Sequence, residues 1–92
     1  MPFEVILSEE AEAFIKKCDK STGNRILDKI ELLSENPRLG KPLTATLAGF
    51  WSLRIGDYRT IYQIKDNELI VLVIKIGHRK NVYDYTPKYL FL

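Results

Sequence analysis

Apolar positions follow more than one rhythm along this chain, and each rhythm predicts an element. Phe3-Glu4-Val5-Ile6-Leu7 is short and apolar with little polar alternation, which predicts a largely buried strand. Ser8 then offers an N-cap hydroxyl, and Glu9 and Glu10 put negative charge where a helix dipole favours it. Ala11, Phe14, Ile15 and Cys18 fall at i, i+3, i+4 and i+7, one face of a helix. Asp19 to Gly23 reads as a break. A second helix presents Ile26, Leu27, Ile30 and Leu33 on one face and should stop near Glu35-Asn36, because Pro37 disfavours helical backbone in the residue before it.

Residues 37–48, with Pro37, Gly40 and Pro42, read as a loop. The period then changes. Trp51, Leu53 and Ile55 alternate with Ser52 and Arg54, so the two sets belong on opposite sides of a strand. Gly56-Asp57 is a tight hairpin turn, Tyr58 to Ile64 the next strand, and Lys65 to Glu68 a second turn. Leu69 to Ile76 makes a third, strongly apolar strand that Gly77 ends. The order β-α-α-β-β-β predicts an α+β fold, with a helical hairpin packed on a mainly antiparallel twisted sheet. No internal repeat interrupts it, and residues 1–92 read as a single domain.

Composition narrows the class. With 46% hydrophobic residues, five Gly and four Pro, the chain is neither disordered nor fibrous, although 92 residues make only a thin core. The lone Cys18 excludes an internal disulfide framework and suggests a reducing compartment. One Cys and one His argue against an all-protein zinc site, so no metal is expected. The longest apolar run, Ile70 to Ile74, is far too short to span a bilayer, and the start carries no signal-peptide pattern; a cytoplasmic, membrane-free protein is the expectation. Net charge is +2, but residues 1–46 carry −1 and residues 47–92 carry +3, an excess suited to an anionic partner.

That excess sits beside phenols. Arg54 and Arg59 flank the Gly56-Asp57 turn on facing strands; His78, Arg79 and Lys80 follow the last strand, with Tyr83 and Tyr85 just beyond. Guanidinium forks bind phosphates bidentately and phenol rings stack on splayed bases, a composition suited to RNA. Cleaving RNA needs no metal when the ribose 2′-hydroxyl attacks: a base for that hydroxyl, positive charge at the phosphate and an acid for the 5′-oxygen suffice. Arginine supplies charge but is a poor base, with a pKa above ~12, whereas Tyr or His can shuttle protons. On the residues alone the arginines serve equally as solvated sheet positions, His78 as a surface residue, Tyr83 and Tyr85 as packing groups, and Trp51 as core or interface.

Three phrases shift that balance: Asn36-Pro37-Arg38-Leu39-Gly40-Lys41-Pro42-Leu43, Leu53 to Tyr62, and Ile76-Gly77-His78-Arg79-Lys80-Asn81-Val82-Tyr83. Together they resemble the RelE/ParE superfamily of toxins from prokaryotic toxin–antitoxin pairs, over nearly the whole chain. The resemblance implies a RelE-like fold and, from the ending after Gly77, the RelE side: a metal- and cofactor-independent, ribosome-dependent endoribonuclease (an mRNA interferase) that cuts mRNA in the A site. It implies that Arg59 binds the phosphate, that Arg79 stabilises the transition state or donates a proton, and that Tyr83 stacks on the A-site base, with Tyr85 close by. Lys80 and His78 would add RNA contacts.

One departure stands out. Ribosome-dependent members of the superfamily carry two lysines on the strand before the turn, where this chain has Ser52 and Arg54. Arg54 keeps the charge and Ser52 does not, so the base falls to Tyr83, Tyr85 or His78, or the ribosome's positioning of mRNA supplies the rate. The resemblance also implies an acidic, amphipathic RelB-like antitoxin in a heterodimer or heterotetramer, masking Arg59 and Arg79 or displacing the apolar tail Tyr89-Leu90-Phe91-Leu92. The alternatives are a ParE-like inhibitor that acts by binding DNA gyrase, or a decayed, non-catalytic toxin.

Overall fold

The computed structural model describes residues 2–78. Its elements run β1 (Glu4–Leu7), α1 (Glu9–Lys17), α2 (Lys20–Glu31), β2 (Lys41–Pro42), β3 (Trp51–Ile55), β4 (Tyr58–Lys65) and β5 (Ile70–His78). The strands form one five-stranded sheet in the order β1-β5-β4-β3-β2, with β1 parallel to β5 and every other pairing antiparallel. The α+β architecture is the one the sequence predicts.

The helices begin where the sequence offers oxygen caps. Ser8 Oγ accepts the Ala11 N–H at 3.1 Å, and the Asp19 carboxylate accepts the Thr22 N–H at 3.2 Å. The second cap shortens the predicted break: α2 starts at Lys20 and takes Gly23 inside it. Gly23 is buried, and a Cβ there would sit 3.5 Å from the Ile15 carbonyl oxygen, so this is where the two helices pass close to each other. After Glu31 a single 3₁₀ turn, Leu32–Ser34, carries the chain toward Pro37. Below the helices lies the core: Ala11, Ile26, Ile30 and Leu33 pack on Leu53, Ile55, Tyr62, Val71, Val73 and Ile76 of the sheet. Trp51, half-buried, packs against this core with its ring stacked on Tyr62, centroids 6.4 Å apart.

Three strand expectations are corrected. β1, the outermost strand among the described residues, alternates between exposed and half-buried positions rather than being largely buried, because Val5 and Leu7 pack against the core while Glu4 and Ile6 do not. The segment 37–48 is not all loop: Lys41 and Pro42 pair with Ser52 and Trp51 and add a short edge strand. β5 does not end at Gly77. The tight turn at Gly56-Asp57, where Gly56 alone takes a positive φ of 59°, brings Tyr58 and Arg59 beside His78 and Gly77 and extends the ladder.

A β-bulge decides which side of the sheet each residue of β5 faces. Ile61 pairs with Lys75 but Tyr62 pairs with Val73, so Ile74 is the extra residue. Two hydroxyls satisfy the local carbonyls: Ser8 Oγ donates to Ile74 O at 2.6 Å and Thr60 Oγ1 donates to Lys75 O at 3.1 Å. Strict alternation from Val71 and Val73 would drive Lys75 into the helix side. With the bulge, Ile76 enters the core instead and Lys75 goes to the opposite side.

Candidate anion-binding face

The register assigns the residues to faces, because partners directly across a ladder share one. Leu53, Thr60 and Ile76 lie in one row on the helix side. On the other side, Lys41, Ser52, Ile61 and Lys75 form a row across four strands, and Arg54, Arg59 and Gly77 form the next row. Arg54 and Arg59 are direct cross-strand partners, as their places around the turn suggested. Like charges so placed repel, so the pair fits a site that receives an anion.

Arg59 is partly buried, and its Nη1 donates to Ser52 Oγ at 3.1 Å. Ser52, 3% exposed, thus serves as a strut that fixes the direction of the guanidinium. Arg54 is exposed and its Nε donates to the Gly56 carbonyl at 3.4 Å. Lys75 is buried, its side chain only 9% exposed, and its Nζ lies 3.3 Å from the Glu10 carboxylate, so part of its charge is already answered.

Two clefts open along β3 where β2 stops pairing. One, of about 310 Å³, is lined by Lys29, Leu39, Gly40, Lys41, Ser52, Leu53, Arg54 and Arg59. The other, of about 510 Å³, lies between α2 and the hairpin turn and includes Arg25, Asp28, Leu32 and Ile55. Lys29 and Arg54 border both. Sequence reasoning missed Lys29 and Lys41. Lys29 looks like an ordinary solvated residue of an amphipathic helix, and Lys41 sat in a presumed loop.

His78 is corrected. Its cross-strand partner is Tyr58, whose ring it meets at 5.2 Å, and Tyr58 in turn packs edge-on against Phe14. That is the helix side. The bulge is the reason: it shifts the alternation by one, so His78 parts from Arg54 and Arg59. Arg79, Lys80, Tyr83, Tyr85 and the tail Tyr89 to Leu92 lie outside the described residues. Among the described residues no cluster of His, Cys, Asp and Glu could hold a metal ion, and no helix is long and apolar enough to cross a membrane.

Burial raises the Tyr62 phenol above its ordinary pKa, partly opposed by the Gly40 hydrogen bond and the charge of Arg38. Cys18 is likewise raised, first by desolvation and then by the neighbouring Asp19 carboxylate, which makes it a poor nucleophile.

The chain has known counterparts in sequence and in fold. Residues 5–83 match the family model described as the ParE toxin of the type II toxin-antitoxin system parDE. Toxin RelE of Mycobacterium tuberculosis is 32% identical over 88 residues, covering 94% of this chain and 91% of that protein. Toxin RelG of the same organism is 44% identical over 52 residues, a stretch that spans 55% of this chain and 60% of RelG. In the crystal structure of the toxin–antitoxin complex RelBE2 from M. tuberculosis, one chain superposes with a TM-score of 0.79 at 32% identity, covering 86% of this chain and all of that one. The protein is therefore a toxin of the type II toxin–antitoxin class. Within that class it belongs to the RelE/ParE superfamily, as the three sequence phrases implied.

Proposed function

We propose that this toxin is a ribosome-dependent endoribonuclease that cleaves mRNA in the A site and acts in the cytoplasm. The observation that carries the reading is the Arg54–Arg59 pair facing the same cleft as Ser52, with the Arg59 guanidinium held in place by the Ser52 hydroxyl. A preset guanidinium costs little reorganisation as charge builds on a phosphate, which is where electrostatic catalysis is strongest. Arg59 grips the scissile phosphate and Arg54 adds charge beside it. Arg79, which follows β5 directly in the chain, is the third cation, and Tyr83 stacks on the base.

The reaction is an in-line displacement. The 2′-oxygen loses its proton to a base and bonds to phosphorus; the bond from phosphorus to the 5′-oxygen breaks and that oxygen takes up a proton. The products are a 2′,3′-cyclic phosphate and a 5′-hydroxyl, with no metal required. With His78 on the helix side, the proton carriers that remain are Tyr83 and Tyr85. Neighbouring guanidiniums favour the phenolate and so bring a tyrosine closer to a useful base. A ribosome that holds mRNA in line contributes orientation the small domain cannot, so free RNA should be cut poorly.

A RelB-like antitoxin is the natural partner, since a related chain was solved in a toxin–antitoxin complex and an acidic segment would match the arginine face. The deciding experiment is primer extension on mRNA held by programmed ribosomes, wild type beside Arg79→Ala. Cuts within the A-site codon that vanish in the variant are expected. Folded wild-type protein that leaves the mRNA whole would overturn the reading, and inhibition of gyrase supercoiling by the same preparation would put the ParE-like alternative in its place.

A further inference from the structure

Ser52 leaves its place in the row without a charge of its own, yet the residue directly across from it is Lys41. Lys41 is exposed and lines the same cleft as Arg54 and Arg59. Among the described residues it makes no ion pair with a carboxylate, unlike Lys16, Arg38 and Lys75. A lysine in a loop would normally sample many positions. This one is delivered by a buried device.

The Tyr62 side chain, fully buried, reaches the segment just before β2 and donates its hydroxyl to the Pro37 carbonyl at 2.7 Å. The same oxygen accepts the Gly40 N–H at 3.1 Å. Gly40 itself admits no side chain: a Cβ would overlap the Ser52 carbonyl oxygen and come within 2.8 Å of the Tyr62 hydroxyl. Glycine's φ is −79°, so it is required for this close approach and not for an unusual turn. The Tyr62 hydroxyl and the bare Gly40 backbone thus clamp the chain on both sides of the approach, and the next residue is Lys41. The sequence spends a buried hydrogen-bonded phenol and an irreplaceable glycine to seat a strand only two residues long.

Resting on the nuclease reading above, we propose that Lys41 contacts the scissile phosphate as a substrate-binding cation, and that Tyr62 and Gly40 are positioning residues that act through it. Lys41 gives the phosphate a charge from the β2 side while the arginines approach from β3 and β4. The ammonium group acts here as a compact point charge with donors to offer a phosphate oxygen. Its work is electrostatic, and no proton or covalent bond changes hands at Lys41.

The test is single-turnover cleavage of mRNA on programmed ribosomes at saturating protein. Lys41→Met should cut about tenfold or more slowly, Lys41→Arg should stay within about threefold of wild type because the charge is kept, and both should melt with wild type, the site being exposed. Tyr62→Phe should slow cleavage in the wild-type background but add nothing in Lys41→Met, since a group acting through another is not additive with its loss.

Cleavage by Lys41→Met at the wild-type rate would overturn the inference. So would equal losses in Met and Arg variants, which would mean shape and not charge. A deficit repaired by raising protein concentration would move Lys41 to ribosome docking and equally overturn it. Additive effects of Tyr62→Phe and Lys41→Met would remove the positioning role. If the wild type itself makes no cuts, the nuclease reading fails first and takes this inference with it.

Discussion

The two faces of the sheet are built by opposite rules. On the helix side, each inward position is filled by an apolar group or a fully bonded polar one; Thr60, buried completely, gives its hydroxyl to the Lys75 carbonyl. On the other side the positions across β2, β3 and β4 read Lys41, Ser52, Arg54 and Arg59, broken by a single buried apolar residue, Ile61. The first face lowers the free energy of folding. The second accumulates like charge that folding alone would not select, and an anion turns that repulsion into binding energy.

Breaking the helix face should give the largest effect on stability. Ile26→Ala removes three carbon atoms from a site with no exposure, in the core that Ile30 and Leu33 share, and should cost about 2–5 kcal/mol in urea unfolding. Against a small domain's whole stability of about 5–15 kcal/mol, that would leave much of the protein unfolded on mild heating.

The arginine face should show the reverse signature. Arg59→Ala is expected to lower cleavage on ribosomes by about 10²–10³-fold while the urea midpoint moves far less than for Ile26→Ala. An equal loss of stability in both variants would mean that the guanidinium serves the fold, and the contrast between the faces would collapse.

Tyr62 joins the two faces, and its effect should be the smallest of these. Removing the hydroxyl in Tyr62→Phe leaves the Gly40 N–H and one bond to the Pro37 carbonyl unmade, a cost of about 1–3 kcal/mol. The pH dependence sharpens this. Burial raises the folded phenol's pKa, so the fold favours the neutral form. Its contribution is whole below the unfolded value of about 10 and is lost as pH rises from there through the folded value. The melting temperature of wild type should therefore fall more steeply above about pH 10 than that of Tyr62→Phe, a difference read by thermal scans between neutral and alkaline buffers.

Much of this molecule follows from local rules. Ser8 and Asp19 cap the helices because their side-chain oxygens reach amides three residues on, and such signals need nothing beyond a few neighbours. The alternation in Trp51 to Ile55 sends Leu53 and Ile55 into the core and Arg54 outward. Arg54 and Arg59 became partners because a two-residue turn fixes register. Asp19 to Gly23 nonetheless reads as a break because Gly23 lowers helix propensity, and its place inside α2 comes from the close approach of α1, which the local composition does not reveal.

Local periodicity and turn chemistry set the order of the two helices and of β1, β3, β4 and β5, the hairpin that pairs the two arginines and the apolar faces of both helices. Tertiary structure decided the rest. An unbroken apolar run, Ile70 to Ile74, holds no alternation to mark a bulge, yet the bulge at Ile74 sends Lys75 to the cationic face and His78 away from it. Likewise Lys41 joined the cleft only because a phenol 21 residues later in the chain anchors the glycine before it. Both depend on contacts between segments distant in sequence, and those are settled by packing and hydrogen-bond satisfaction when the whole sheet closes.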